Sequence, residues 1–229
     1  MLKPGTARRV FTAAVVAGAL MFAFGAGSAL AADQIVATDD AFDAPSYGMD
    51  QGERPTLLNN GVNSHNVTAR TKGPDGRDLF FSPTITGGTT TVDGTQYLTT
   101  GSYSFWCSIH PLSMQATLNV SGAGSPAARP DIDVAGKGGK LKKVAKKGKI
   151  AVTVSAATAS AGVKLVAKLG KATLGSTAVF DLAAGQSRKV AIKLSKSGKA
   201  KLAKKKKAGI KVTGSVRFGA PDTVKLSLK

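Results

Sequence analysis

From residue 33 onward, apolar residues recur at every second position in short bursts. That period belongs to strands with one buried face, and it predicts an all-β chain. Gly101–Cys107 alternates most cleanly: Tyr103, Phe105 and Cys107 fall on one face, and Ser102, Ser104 and Trp106 on the other. Gln34–Thr38, Thr56–Leu58, His65–Ala69 and Thr117–Val120 are further short runs. They are separated by the turn signals Asp39-Asp40, Asn59-Asn60-Gly61 and Pro74-Asp75-Gly76, whose residues tolerate or favour turn backbones. Ile150, Val152 and Val154 alternate, as do Val163, Leu165 and Ala167. More strands are predicted over Ala172–Leu182, Lys189–Leu194, Ile210–Phe218 and Val224–Leu228, with Ser195–Lys207 as a Lys-rich helical turn between two of them.

The first 31 residues follow a different pattern. Val10–Gly25 is apolar apart from Thr12, with Lys3, Arg8 and Arg9 before it and Ala29-Leu30-Ala31 after it. This reads as a signal peptide over 1–31, cleaved before Ala32. The run is shorter than the roughly 20 residues a membrane span needs. Arg8-Arg9-Val10-Phe11 also fits the core of a twin-arginine signal, so export by either the Sec or the Tat route is expected. A secreted, periplasmic or envelope-associated protein follows from this.

Charge then divides the chain. Residues 32–121 carry nine acidic and four basic side chains, whereas 122–229 carry four acidic and 25 basic ones. Such asymmetry predicts two β units, 32–121 and 140–229, joined by a flexible Gly/Ser/Pro-rich linker over 122–139. The Lys-rich unit reads as a solvated face or as an attachment to an anionic envelope polymer or lipid surface. Nucleic acid is disfavoured, because no aromatic residues interleave the lysines.

The scarce residues set the chemistry. One Cys and two His in 229 residues exclude an iron–sulfur cluster, a thiolate zinc site and a disulfide framework. An exported thiol left unpaired is a liability unless something occupies it. Cys107, His110 and Met114 follow one strand, and His65 opens another. Two imidazoles, one thiolate and one thioether are the soft donor set of a mononuclear copper electron-transfer site. A Cys–His nucleophile is the other chemistry open to Cys107 and His110, but no orienting acid or oxyanion loop accompanies them. No catalytic residue is assigned, and the chain reads as a non-enzyme.

Asn59-Asn60-Gly61, Ser64-His65-Asn66-Val67 and Tyr103-Ser-Phe-Trp-Cys107-Ser-Ile-His110-Pro, with Met114-Gln-Ala-Thr-Leu118-Asn-Val120, resemble the cupredoxin family over about residues 33–120. The nearest resemblance is to its plastocyanin-like and amicyanin-like members. It implies a Greek-key β-sandwich, with His65, Cys107 and His110 as equatorial copper ligands and Met114 as the axial one. It further implies that Asn66 locks the ligand loops and bonds near the Cys sulfur. Pro111 and Leu112 would form an apolar docking patch beside His110 for a transient redox partner. The loop here is Cys-x2-His-x3-Met, between the plastocyanin-like x4 and the amicyanin-like x2 spacing, and Ala116 stands where the family usually has Gly. The second unit resembles Ig-like β-domains of exported actinobacterial proteins through Leu182–Leu202. The expectation is an exported type 1 copper protein that carries single electrons. The alternatives are a copper-binding or copper-delivery protein without a redox partner, and a structural envelope or adhesion protein.

Overall fold

A computed structural model describes residues 33–229; the signal-peptide expectation lies outside them. Strands and bridges take 50% of the described residues and helices 9%, so the all-β expectation holds. The first eight strands are β1 (Ile35–Thr38), β2 (Ala41–Phe42), β3 (Ser46–Gln51), β4 (Thr56–Asn59), β5 (Thr68–Ala69), β6 (Gly88–Thr91), β7 (Gly101–Trp106) and β8 (Gln115–Gly124). They form two four-stranded sheets, in the orders β2-β1-β4-β6 and β3-β8-β7-β5. β1 runs parallel to β4 and β3 parallel to β8; the other pairs are antiparallel. Alternation drives this arrangement, because Phe105 and Cys107 on one face of β7 are fully buried while Trp106 on the other is only partly so. Ile35, Leu57, Phe80, Phe105 and Leu118 fill the space between the sheets, each side chain worth about 2 kcal/mol of apolar burial.

The second set is β9 (Ile132–Ala135), α1 (Leu141–Lys147), β10 (Lys149–Ala156), β11 (Ser160–Leu169), β12 (Ala172–Ser176), β13 (Phe180–Leu182), β14 (Ser187–Lys193), α2 (Lys196–Ala203), β15 (Ala208–Ser215) and β16 (Asp222–Leu228). A β14-β10-β9 sheet faces a β12-β11-β15-β16 sheet, with β13 paired to β11. All of these pairs are antiparallel. Its buried residues, from Ile132 to Leu228, form a core separate from that of the first eight strands. Among the described residues no helix is long and apolar enough to cross a membrane.

Three expectations need correction. The segment 122–139 is not a free linker. β8 extends to Gly124, and β9 pairs with β10 and buries Ile132 and Val134 in the second core. What lies between is tied down as well: the Ala127 amide donates to the Gln96 carbonyl at 2.8 Å, and Arg129 donates to the carbonyls of Tyr97 and Phe218. Second, the strand predicted over Ala172–Leu182 divides into β12 and β13, with residues 177–179 outside both. Third, β15 ends at Ser215 instead of running to Phe218. Arg217 and Phe218 leave the sheet and dock on the first unit. Arg217 reaches the Asp75 carboxylate at 2.7 Å and the Asp78 carbonyl at 2.7 Å, and Phe218 stacks on Phe81.

Candidate metal centre

Cys107 continues directly from β7, whose register against β8 is unbroken from Gly101 to Trp106. Its amide donates to the Met114 carbonyl at 3.0 Å, and the Met114 amide donates to the His110 carbonyl at 3.0 Å. The 107–114 loop is thereby closed at both ends by its own backbone. His65 arrives from the other side, held by paired hydrogen bonds with Ile85 of 2.9 and 3.0 Å. Two rigid backbones therefore aim three donors at one point. One ligand atom each of His65, Cys107 and His110 lies within 4.8 Å of the others.

The spacing suits a metal better than it suits hydrogen bonds. Cys107 Sγ lies 4.0 Å from His65 Nδ1 and 3.9 Å from His110 Nδ1. Metal bonds of about 2.0 Å to nitrogen and about 2.3 Å to sulfur, opened to 120°, separate those donors by about 3.7 Å. The imidazole rings are 5.1 Å apart and tilted by 55°. His65, Cys107 and Met114 are fully buried, and only His110 reaches the surface, with a quarter of its side chain exposed.

His65 is costly as an ordinary core residue. Its Nε2 is buried without a hydrogen-bond partner among the described residues, and its Nδ1 lies 4.0 Å from Cys107 Sγ. Burial, and then the nearby His110, push its pKa below the usual histidine value, so the ring is neutral and its lone pair is free to bind metal. A buried polar ring without partners is unfavourable, and ligation would offset that cost.

Asn66 fastens the loops. Its Oδ1 accepts from the Ser108 amide at 2.9 Å, while its Nδ2 donates to Ser108 Oγ at 2.8 Å and Thr84 Oγ1 at 2.9 Å. The bonds fall on Ser108, next in the chain to Cys107. Pro111 and Leu112 lie on the exposed side of His110, and Leu112 is 91% exposed, so it does not cap the core. Val62 and Ile109 are exposed as well, and both are close to the ligands in sequence.

Asp40 was not foreseen at this site. Asp39-Asp40 carries only a turn signal in the sequence, yet Asp40 Oδ1 stands 3.2 Å from His110 Nε2. Asp40 adopts a left-handed backbone (φ 57°), and the Val62 amide donates to Asp39 Oδ1 at 2.8 Å. The exposed edge of His110 is therefore not free of charge. The 70 residues between Asp40 and His110 leave no local signal of this pairing.

No protein-family model matches the chain, and no curated protein matches it. Among solved structures, a reduced amicyanin variant is 20% identical over 39% of this chain and 82% of its own, with a TM-score of 0.34. Amicyanin from Paracoccus versutus is 25% identical over 39% of this chain and 81% of its own, with a TM-score of 0.32. A reduced copper(I) amicyanin variant is 21% identical over 42% of this chain and 88% of its own, with a TM-score of 0.34.

Proposed function

We propose that the first unit is a cupredoxin-like site that holds one copper ion through His65 Nδ1, Cys107 Sγ and His110 Nδ1, with Met114 as a weak axial donor, and that it passes single electrons to a transient protein partner outside the cytoplasm. The observation that carries this reading is the buried His65–Cys107–His110 cluster, its donors spaced for a trigonal ion. When bound, copper supplies a one-electron couple. The chain's residues supply a fixed cage. The paired bonds at His65 and the closed 107–114 loop hold the donors in place, and a soft trigonal set suits both copper oxidation states. Cys107 and His65 are fully buried, while His110 alone of the three meets the surface, flanked by exposed Ile109 and Leu112. On this reading the site binds and conducts.

The test is the absorption spectrum of the copper-loaded protein. An intense thiolate-to-copper band at roughly 600 nm is expected, as the cupredoxin resemblance implies. Cys107→Ser should abolish it, since an alcohol cannot replace the soft donor. A serine variant that stays blue would sink the assignment. Slow electron exchange combined with ready copper transfer to a chelator would replace the carrier reading with a delivery one.

A further inference from the structure

Charge in the second unit is sorted by end. Its four acidic side chains all lie in the half that meets the first unit. Asp133 pairs in register with Ser155, Asp222 pairs with Gly214, Asp181 accepts from the Gly162 amide, and the Asp131 carbonyl accepts from the Ala157 amide. At the other end, where β10 and β15 begin and β14 and β16 finish, α1 packs against α2. These helices and the run Lys204–Lys207 bring 11 lysines together with no acidic residue.

That clustering breaks local rules. Lys142 and Lys146, and Lys143 and Lys147, are like-charged pairs four apart on α1, where each pair disfavours the helix. Among the described residues, no ion pair engages a lysine of the second unit. A merely solvated face would be better served by interspersed charges, whereas repulsion concentrated at one end is what a counter-charged partner would relieve. The surface there is also concave. Lys140, Lys142, Lys205, Lys206 and Lys229 surround a cleft of about 580 Å3 floored by buried Leu141.

We propose that this cleft binds a linear phosphate-bearing polyanion. Lysine ammonium groups act on phosphate as point charges, and a cleft rimmed by five of them fits a flexible charged chain. A bilayer is the poorer fit, because none of the exposed large apolar residues (Val62, Ile109, Leu112 and Val179) lies at this end to insert. Nucleic acid is poorer still, since the only aromatics of the second unit are Phe180 and Phe218, both in the other half, and bases need stacking platforms. The cleft lies at the end of the second unit opposite the half that holds Asp133 and Asp222.

The test uses the mature chain, residues 32–229, titrated with long-chain inorganic polyphosphate at several salt concentrations. About five phosphate contacts predict a roughly 100-fold loss of affinity between 50 and 200 mM salt, taking about 0.7 counterions per contact. Replacing Lys140, Lys142, Lys205 and Lys206 with Gln should weaken binding at least tenfold. Replacing the exposed strand lysines Lys164, Lys189, Lys211 and Lys225 with Gln changes net charge equally and should cost far less. Amide shifts of the unaltered protein should cluster in α1, α2 and 204–207, which reads the site without any variant. Equal losses in the two quadruple variants, or shifts spread over the strands, would overturn the cleft. Tighter binding to phosphatidylglycerol vesicles or to a thymidine oligonucleotide than to polyphosphate would overturn the choice of partner.

Discussion

At the scale of single residues, the site rests on side chains that bind the loops of His65 and Cys107 to one another. Asn66 is the clearest case, because one amide group satisfies the Ser108 amide, the Ser108 hydroxyl and the Thr84 hydroxyl. Asn66→Ala removes these three bonds and the one its Oδ1 accepts from Thr68 Oγ1, and strands a partly buried amide beside Cys107. At about 1 kcal/mol for each lost bond, plus the cost of an unsatisfied donor, the loss should be about 2–4 kcal/mol in urea or thermal unfolding. Copper should also leave the variant faster, since the thiolate's own backbone is freed. Unchanged stability and copper retention would show that Asn66 is dispensable. The cluster of His65, Cys107 and His110 was legible in sequence, because both histidines and the only cysteine fall at strand ends. Asp40 was not, because its approach to His110 depends on a left-handed turn seventy residues away.

At the scale of elements, the loop from β7 to β8 divides its residues between two tasks. Cys107 and Met114 face inward and are fully buried, whereas Leu112 is almost fully exposed. Leu112→Lys should therefore alter stability by no more than about 0.5 kcal/mol and leave the visible spectrum unchanged. It should slow electron self-exchange about tenfold, because two copies would then meet through like charges. A shifted spectrum or lost copper would make Leu112 structural after all. Alternation revealed β7, the middle of β8 and most of the second unit. It could not reveal β3, where Gly48, Asp50 and Gln51 interrupt the apolar pattern, or β6, which is Gly-Thr-Thr-Thr and mostly exposed. Those strands are specified by pairing with β8 and β4 and not by their own faces. The Lys-rich α1 was equally hidden, since only Leu141 of its seven residues is buried.

At the scale of the whole molecule, the junction decides whether the two units move as one. Arg217 bonds to Asp75, whose side chain is only 4% exposed, and its guanidinium lies 4.1 Å from the Phe218 ring centroid and 4.8 Å from that of Phe81. Phe218 holds a left-handed backbone (φ 65°), a conformation that costs a non-glycine residue about 1–2 kcal/mol. Its ring lies against Gly94, where an added Cβ would come within 2.5 Å of Phe218 Cε1 and 2.6 Å of the Leu79 carbonyl oxygen. Burial opposes ionisation of Asp75. Hydrogen bonds from Arg217 and from the Arg77 and Phe218 amides outweigh it and hold the carboxyl below its ordinary value. A carboxyl depressed by docking stabilises the docked state above its undocked pKa, near 4, and that contribution is lost as pH falls through the lower, docked value. Acid below about pH 4 should therefore release the units from each other. Arg217→Ala should do so at neutral pH, because it leaves a buried carboxylate unpaired, a change that typically costs about 3–5 kcal/mol. Backbone NMR relaxation of residues 32–229 gives the readout: one tumbling time for both units at pH 7, and two distinct times for the variant or in acid. A single tumbling time under all three conditions would show that the Arg217–Asp75 contact does not hold the units together.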